Sequence, residues 1–445
     1  MVIKRKVLFL LGIIIVMNSI LFVLNTQTNS LEAHKNKQTV FSSNYNYQWI
    51  WDEYIGAEGP IEGNDVVNWS NGLGSYHNRT ELWEKLISLN FNFPSIVDLS
   101  VIGLTHKGNL IPIVILTDES SNVFKKEFFV VAHHHAREMI TVENALYYID
   151  KLVFEFINNN TEIQNIFANR IIYVIPSLNI DSLDIMHLRP GQRKNLHPID
   201  EDGDGVEDEN EWITGVDSDD PDETIGEDNP GGVDLNRNYA FKWDYPAGSS
   251  DNPLSLLYRG TEAFSELETT ALANFVRKHH FQAAVSLHSG VEMVLTPWAY
   301  EPNILCPDQT LYNEIGNQLA DLTGLLYADL YHASGEWGDF MYAHRGIIAI
   351  TLETYEGDNW TYIWDGFNPP ANEVIANCRD VAYPGLLYLT TFDRPDMNIA
   401  PVEDISTVIS KPPPSTQESS LSIISVVIST SSIMTIIVIK RKRKN

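Results

Sequence analysis

Apolar residues along the chain fall into two rhythms. Compact β-branched and aromatic runs occupy 96–102, 111–116, 128–132, 170–176, 283–287 and 347–352, with the length and composition of buried strands. Before the first of them, at 80–89, and between later ones, at 140–158, 265–279 and 313–322, apolar positions recur at helical spacing. Strands alternating with helices predict an α/β fold: a mixed, mainly parallel central sheet with helices on both faces, an α/β/α sandwich without internal repeats. In such sheets ligands bind beyond the carboxyl ends of the strands, which is where polar residues gather here.

The two longest apolar runs lie at the chain ends. After Lys4-Arg5-Lys6, residues 7–24 are uncharged and almost wholly apolar, so 1–24 reads as a signal peptide or a retained signal anchor. Residues 421–439 are uncharged and end in Lys440-Arg441-Lys442-Arg443-Lys444. At ~1.5 Å rise per residue they reach about 28 Å, which predicts a transmembrane helix with a basic cytoplasmic tail, 440–445. Pro412-Pro413-Pro414 among serines and threonines marks 396–420 as a stalk. That leaves an N-terminal extension, 25–71, and one large domain, 72–395. The basic tips stay in the cytoplasm, so the expected location of the domain is the cell surface, or secreted if the anchor is removed. The membrane is then a partner through the C-terminal helix and any retained N-terminal segment.

Charge narrows the partners further. Asp and Glu number 59 against 30 Lys and Arg, a formal net charge of −29, which excludes nucleic acid because phosphate neutralisation needs a basic stripe. Apolar residues at 44% of the chain exclude wholesale disorder. The two cysteines, Cys306 and Cys378, exclude a disulfide scaffold and a four-thiolate zinc site; one bond or two free thiols both remain open. A monomer is expected.

The run 128–132 ends in His133-His134-His135-Ala136-Arg137-Glu138. A histidine and a glutamate three apart in a tight turn can face one ion, and nitrogen with carboxylate oxygen suits zinc. Only His135 has a glutamate, Glu138, at that spacing. Catalytic zinc takes three protein ligands and keeps a position open; His288, closing the run 283–287, is the best third candidate. Glu353 closes the run 347–352, where a carboxylate without a task is costly to bury. Beside a metal it can take a proton from water. Each signal alone is weak, since a solvated histidine turn would look the same.

With Arg193-Lys194-Asn195, Gly232-Val233-Asp234-Leu235-Asn236-Arg237-Asn238, Ser286-Leu287-His288-Ser289 and Tyr331-His332-Ala333-Ser334-Gly335, these segments resemble, in order, the M14 family of zinc metallocarboxypeptidases, the carboxypeptidase A type, over about 72–392. The resemblance implies a hydrolase that removes the C-terminal residue of extracellular peptides or proteins. One catalytic zinc would be held by His135, Glu138 and His288, with Glu353 as general base and later general acid. Arg193 and Arg137 would act on the scissile carbonyl. Asn236 and Arg237 would clamp the substrate's terminal carboxylate, with Ser289 beside them and Tyr331 closing over it. A guanidinium suits both tasks, stabilising developing negative charge and gripping a planar carboxylate. Arg189 stands four before Arg193 where the family spaces its two arginines by three. By ungapped counting Leu295, Leu326, Gly338 and Thr351 line the side-chain pocket. Gly338 falls where members preferring Lys or Arg carry Asp, so the expected preference is for apolar or aromatic C-terminal residues. Glu292, Asp329 and Glu336 are near enough in sequence to bring a carboxylate in from another direction.

Residues 198–231 contain no Lys or Arg and hold fifteen of the 59 acids. Asp200, Asp202, Asp204, Gly205, Asp208 and Glu211 fit the D-x-D-x-D-G-x5-E pattern of a calcium loop, which predicts one or more structural calcium ions. Two other readings compete with the carboxypeptidase: a related zinc amidohydrolase acting on acyl-amino acids or glutamyl linkages, and an inactive surface-binding protein of the same fold. The second is disfavoured by the presence of all of His135, Glu138, His288 and Glu353.

Overall fold

The computed structural model describes residues 76–199, 231–328, 332–358 and 362–394. The signal or anchor 1–24, the extension 25–71, Asp200, Asp202, Asp204, Asp208 and Glu211 of the insertion, Asp329, Tyr331, the stalk 396–420, the helix 421–439 and the tail 440–445 lie outside the described residues. Among the described residues no helix is long and apolar enough to cross a membrane.

Eight strands form one sheet: β1 Val97–Leu104, β2 Leu110–Leu116, β3 Lys126–Ala132, β4 Arg170–Ile175, β5 Phe281–His288, β6 Val291–Leu295, β7 Leu326–Tyr327 and β8 Ile348–Tyr355. Their order is β1-β2-β4-β3-β5-β8-β6-β7. The central run β4-β3-β5-β8 is parallel, and antiparallel pairs β1/β2, β2/β4 and β6/β8 flank it. Burial explains the placement. Every residue of β5 is buried, as are residues 128–132 of β3, the near-continuous apolar character of a strand covered on both faces. β1 instead begins with buried Val97 and Leu99 alternating with exposed Asp98 and Ser100, as an edge strand should.

The principal helices are α1 Arg79–Asn92, α2 Ile140–Ile157, α3 Thr161–Asn169, α4 Leu267–Val276, α5 Gln309–Thr323, α6 Trp337–Arg345 and α7 Tyr383–Thr391. α2 packs on β3, α4 on β1, α6 on β8 and α7 on β5. The start of α1 shows local sequence at work: the Asn78 side chain accepts from Glu81 N at 3.0 Å while Glu81 accepts from Asn78 N at 2.9 Å, a reciprocal cap that satisfies two otherwise orphaned donors. All six expected strands are present within a few residues. The periodicity did not reveal β6, β7, α3 or α6, which are short or interrupted by polar residues. β6 follows β5 after only Ser289 and Gly290. Gly290 makes that reversal at φ 118°, and a Cβ there would sit 2.5 Å from the Phe367 ring.

Register decides what the strand ends deliver. Ala132 of β3 pairs with Leu287 of β5, and His288 pairs with Glu353 of β8, so three adjacent strands release their polar residues at one level. The two ends of the acidic insertion also meet: Asn195 N donates to Val233 O at 3.0 Å, and Val233 N to Asn195 Oδ1 at 2.8 Å. Cys306 and Cys378 are both buried free thiols, which resolves the alternative the sequence left open.

Because Ile350 is fully buried in β8 opposite Val285 of β5, Ile350→Ala is expected to cost about 2–5 kcal/mol of stability. Urea unfolding should show a lowered midpoint with an unchanged m value.

Candidate active site and metal centre

The turn after β3 is stapled so that it presents side chains. His133 takes the left-handed backbone conformation, φ 63°, uncommon outside glycine. Its ring closes the turn, with Nδ1 2.8 Å from Ser177 Oγ and Nε2 2.8 Å from Ala136 O. Burial pushes its pKa down to about 4, so it is a neutral structural histidine. Asn179 N donates to His133 O and Ala136 N to Arg193 O, both at 3.0 Å. His134 is also fully buried, and burial holds it well below the usual imidazole range.

His135 and Glu138 line a cavity of about 220 Å³, and both meet His288, which is buried behind them. His135 Nδ1 lies 2.7 Å from Glu138 Oε1 and 3.2 Å from His288 Nδ1, and His288 Nδ1 lies 3.0 Å from Glu138 Oε2. Two ring nitrogens and a carboxylate converging this way are a group that could hold one metal ion. A tetrahedral zinc with bonds of ~2.0–2.1 Å separates its ligand atoms by about 3.3 Å, so the donors fit. Burial works against the charge of Glu138, but His135 and His288 outweigh it and keep the carboxylate well below its usual range. The outer nitrogen of His135, Nε2, is 3.2 Å from Asp234 Oδ1, the second partner that fixes a ligand histidine's tautomer.

The described residues contain another His-His-Glu group, His106, His197 and Glu266, which neither motif nor spacing had revealed. Ring geometry separates the two. His106 and His197 are stacked 3.6 Å apart at 7°, and an ion cannot lie in both of two parallel ring planes. His135 and His288 are tilted by 57°, so their planes can intersect at one ion. Glu266, 3.2 Å from His106 Nε2 and 3.1 Å from His197 Nδ1, also accepts from Asn195 Nδ2 at 2.6 Å and Ser265 Oγ at 2.7 Å, anchoring the segment before the insertion to the start of α4.

Asp234 is the functional residue that residue-by-residue assignment passed over, although it stands two before Asn236 in the same motif. It is fully buried and accepts from Arg193 Nε and Nη2, both at 3.0 Å, and from Asn236 N at 2.9 Å. Burial would raise its pKa, but Arg193, His135 and Arg237 together hold it well below the usual carboxylate range.

The other expected residues mostly converge on the same cavity. Arg193 and Arg137 line it, the Arg137 guanidinium lying 4.1 Å over the Phe367 ring. Asn236 and Arg237 line it too. Arg237 is pinned by bonds from Nε to Gly248 O and Nη1 to Asn236 O, each 2.7 Å. Ser289 donates its backbone N–H to Glu138 Oε2 at 3.2 Å, and its buried hydroxyl has no hydrogen-bond partner. Glu353 faces the cavity with Oε2 buried and without a hydrogen-bond partner. Burial, with Glu138 adding, pushes its pKa up to about 8, against the opposing pull of His288, Arg193 and Arg237. Arg189 is buried and does not line the cavity.

Of the counted pocket residues, Leu295, Gly338 and Thr351 do line the cavity. Leu326 does not. It is 63% exposed on β7 at the sheet edge, because ungapped counting ignores where a two-residue edge strand turns its side chains. Ala328 lines the cavity from that segment. Glu336 lines it as well, whereas Glu292 is exposed and lies off it. The Glu336 carboxylate oxygens lie 3.0 and 3.4 Å from where a Cβ on Gly338 would be. The Glu336 carboxylate beside Gly338 also caps α6, its Oε2 accepting from Asp339 N at 2.9 Å.

The zinc carboxypeptidase family of M14 peptidases matches residues 83–383. The chain belongs to this family. As a zinc carboxypeptidase it is 25% identical over 315 residues to carboxypeptidase B of Astacus astacus, covering 68% of this chain and 91% of that protein. It is 28% identical over 319 residues to a zinc carboxypeptidase of Simulium vittatum, covering 67% and 91%. Its fold resembles carboxypeptidase A from Helicoverpa armigera, with a TM-score of 0.58 at 21% identity over 78% of this chain and 80% of that one. It also resembles bovine thrombin-activatable fibrinolysis inhibitor bound to tick carboxypeptidase inhibitor, with a TM-score of 0.56 at 20% identity over 71% and 97%. At those identities the structures establish the shared fold.

Asp234→Asn keeps the shape but removes the charge opposite His135, and should raise the zinc dissociation constant about 10–100-fold. Competition with a chromophoric chelator measures it.

Proposed function

We propose that this zinc carboxypeptidase hydrolyses the C-terminal peptide bond of extracellular peptides or proteins, with Glu353 as the proton-transferring group. The observation that carries the proposal is the Glu353 carboxylate, its Oε2 without a hydrogen-bond partner, in the cavity lined by His135 and Glu138 of the donor group and by Arg193 and Arg237. Asn236 and Arg237 grip the substrate's terminal carboxylate, for which a guanidinium beside an amide is well shaped. Arg193, aimed by Asp234, and Arg137 stand where negative charge develops on the carbonyl oxygen. Glu353 takes a proton from the attacking water and passes it to the leaving amine. Zinc, when held by His135, Glu138 and His288, supplies a Lewis acid that polarises the carbonyl and makes water a better nucleophile. Tyr331 closes over the substrate, a role that rests on its place in the Tyr331-His332-Ala333-Ser334-Gly335 motif. The apolar runs at 7–24 and 421–439 support display at the cell surface, and the acidic motif 200–211 supports structural calcium.

Glu336 revises the expected preference. A cavity walled by Leu295, Thr351 and Ala349 with one carboxylate at Gly338 suits an aliphatic stem ending in a cation, so we assign a preference for C-terminal Lys or Arg.

Glu353→Gln should lower kcat by about 10²–10⁴-fold with zinc stoichiometry unchanged; wild-type turnover in this variant would refute the assignment. Among peptides differing only in a terminal Arg, Lys, Phe, Leu or Glu, those ending in Arg or Lys should have the highest kcat/KM, and Glu336→Gln should erase the advantage. Phe or Leu fastest would restore the apolar pocket.

A further inference from the structure

Three histidines follow β3. His135 faces the metal donors and His133 closes the turn, which leaves His134, fully buried and without a task in the reaction. Its ring is continuous with the outer side of a metal ligand. Ser286 Oγ stands between His134 Nδ1, at 3.1 Å, and His288 Nε2, at 2.9 Å, and His134 Nε2 lies 2.8 Å from Tyr239 Oη. His134, Ser286 and Tyr239 are fully buried and His288 is 1% exposed.

Proton positions follow from the chemistry of each group. His288 turns Nδ1 toward Glu138 and His135, so as a ligand it carries its proton on Nε2 and donates it to Ser286 Oγ. The single hydroxyl proton of Ser286 is then directed to His134 Nδ1. That makes Nδ1 an acceptor and places the His134 proton on Nε2, where it is donated to Tyr239 Oη. Each link has one consistent direction. We propose that His134 is a positioning residue which, through Ser286, sets the tautomer and ring orientation of His288 for metal binding. The two ligand histidines are thereby held differently: His135 by the anion Asp234, His288 by a neutral chain that orients it without adding charge beside Glu138 and Glu353. The proposal rests on His288 being a zinc ligand.

The test is zinc affinity of the full chain, measured by chelator competition with zinc alone, beside the melting temperature of each metal-free variant as a control on folding. Ser286→Ala leaves the His288 Nε2–H buried without a partner, and His134→Leu leaves the Ser286 hydroxyl without its acceptor. Each is expected to weaken zinc binding about 10-fold or more, and the double variant should be no worse than the poorer single one because both break one chain. His134→Asn, which keeps an acceptor close to the position of Nδ1, should stay within a factor of about three of the wild type. It also preserves the comparison if His134→Leu does not fold. Wild-type affinity in both Ser286→Ala and His134→Leu, additive losses in the double variant, or a His134→Asn as weak as His134→Leu would overturn the relay. His288→Ala binding zinc as tightly as the wild type would instead remove the ligand assignment on which the relay stands.

Discussion

One buried carboxylate ties the site together. Asp234 has no solvent to share its charge, and a charge in such a place is tolerable only if paired and fully hydrogen-bonded. It obtains partners from three separate stretches of chain: the Arg193 guanidinium, the outer nitrogen of His135, and the backbone of Asn236 in its own turn. Satisfying that one charge brings together the turn after β3, the segment before the acidic insertion and the segment after it. The insertion can therefore be long without loosening the site, since Asn195 and Val233 are bonded directly to each other at its stem.

The sheet supplies the complementary constraint. β3 and β5 are buried on both faces, so unpaired polar groups are excluded from their length and gather where the strands end. Parallel pairing at matched register puts those ends at one level, with His288 directly beside Glu353. The same rule accounts for the second use of β5: Ser286, two residues before His288, stays buried because its hydroxyl is engaged on both sides by imidazole nitrogens. A polar residue inside a central strand has to be bonded inward, and here it is bonded to His288.

Much of this was legible before any coordinates. Long apolar strands and amphipathic helices announce themselves because burial on both faces or on one stripe leaves an unmistakable pattern, and β3, β5, β8 and α2 lie close to where the periodicity put them. His288 and Glu353 stood out for a related reason, each being a polar residue closing an apolar run, and His135 with Glu138 by their three-residue spacing in the turn after another. What escaped was short or conditional. β6 and β7 are too brief for a period to show, and α6 is masked by Gly338 and Asp339. Asp234 and Ser286 lay inside recognised segments, yet their roles depend on partners 41 to 152 positions away.

Sequence alone determined the class of fold, the donors that suit zinc, the acid that suits proton transfer and the arginines that suit a carboxylate, because each follows from side-chain chemistry or from periodicity within one stretch of chain. Only the tertiary structure decided between groups of like composition. It separated two His-His-Glu sets by the angle between their rings, 57° in one and 7° in the other. It moved Leu326 out of the pocket and brought Glu336 into it beside Gly338. Distances and angles between residues far apart in the chain are set by packing of the whole sheet, which no local pattern encodes.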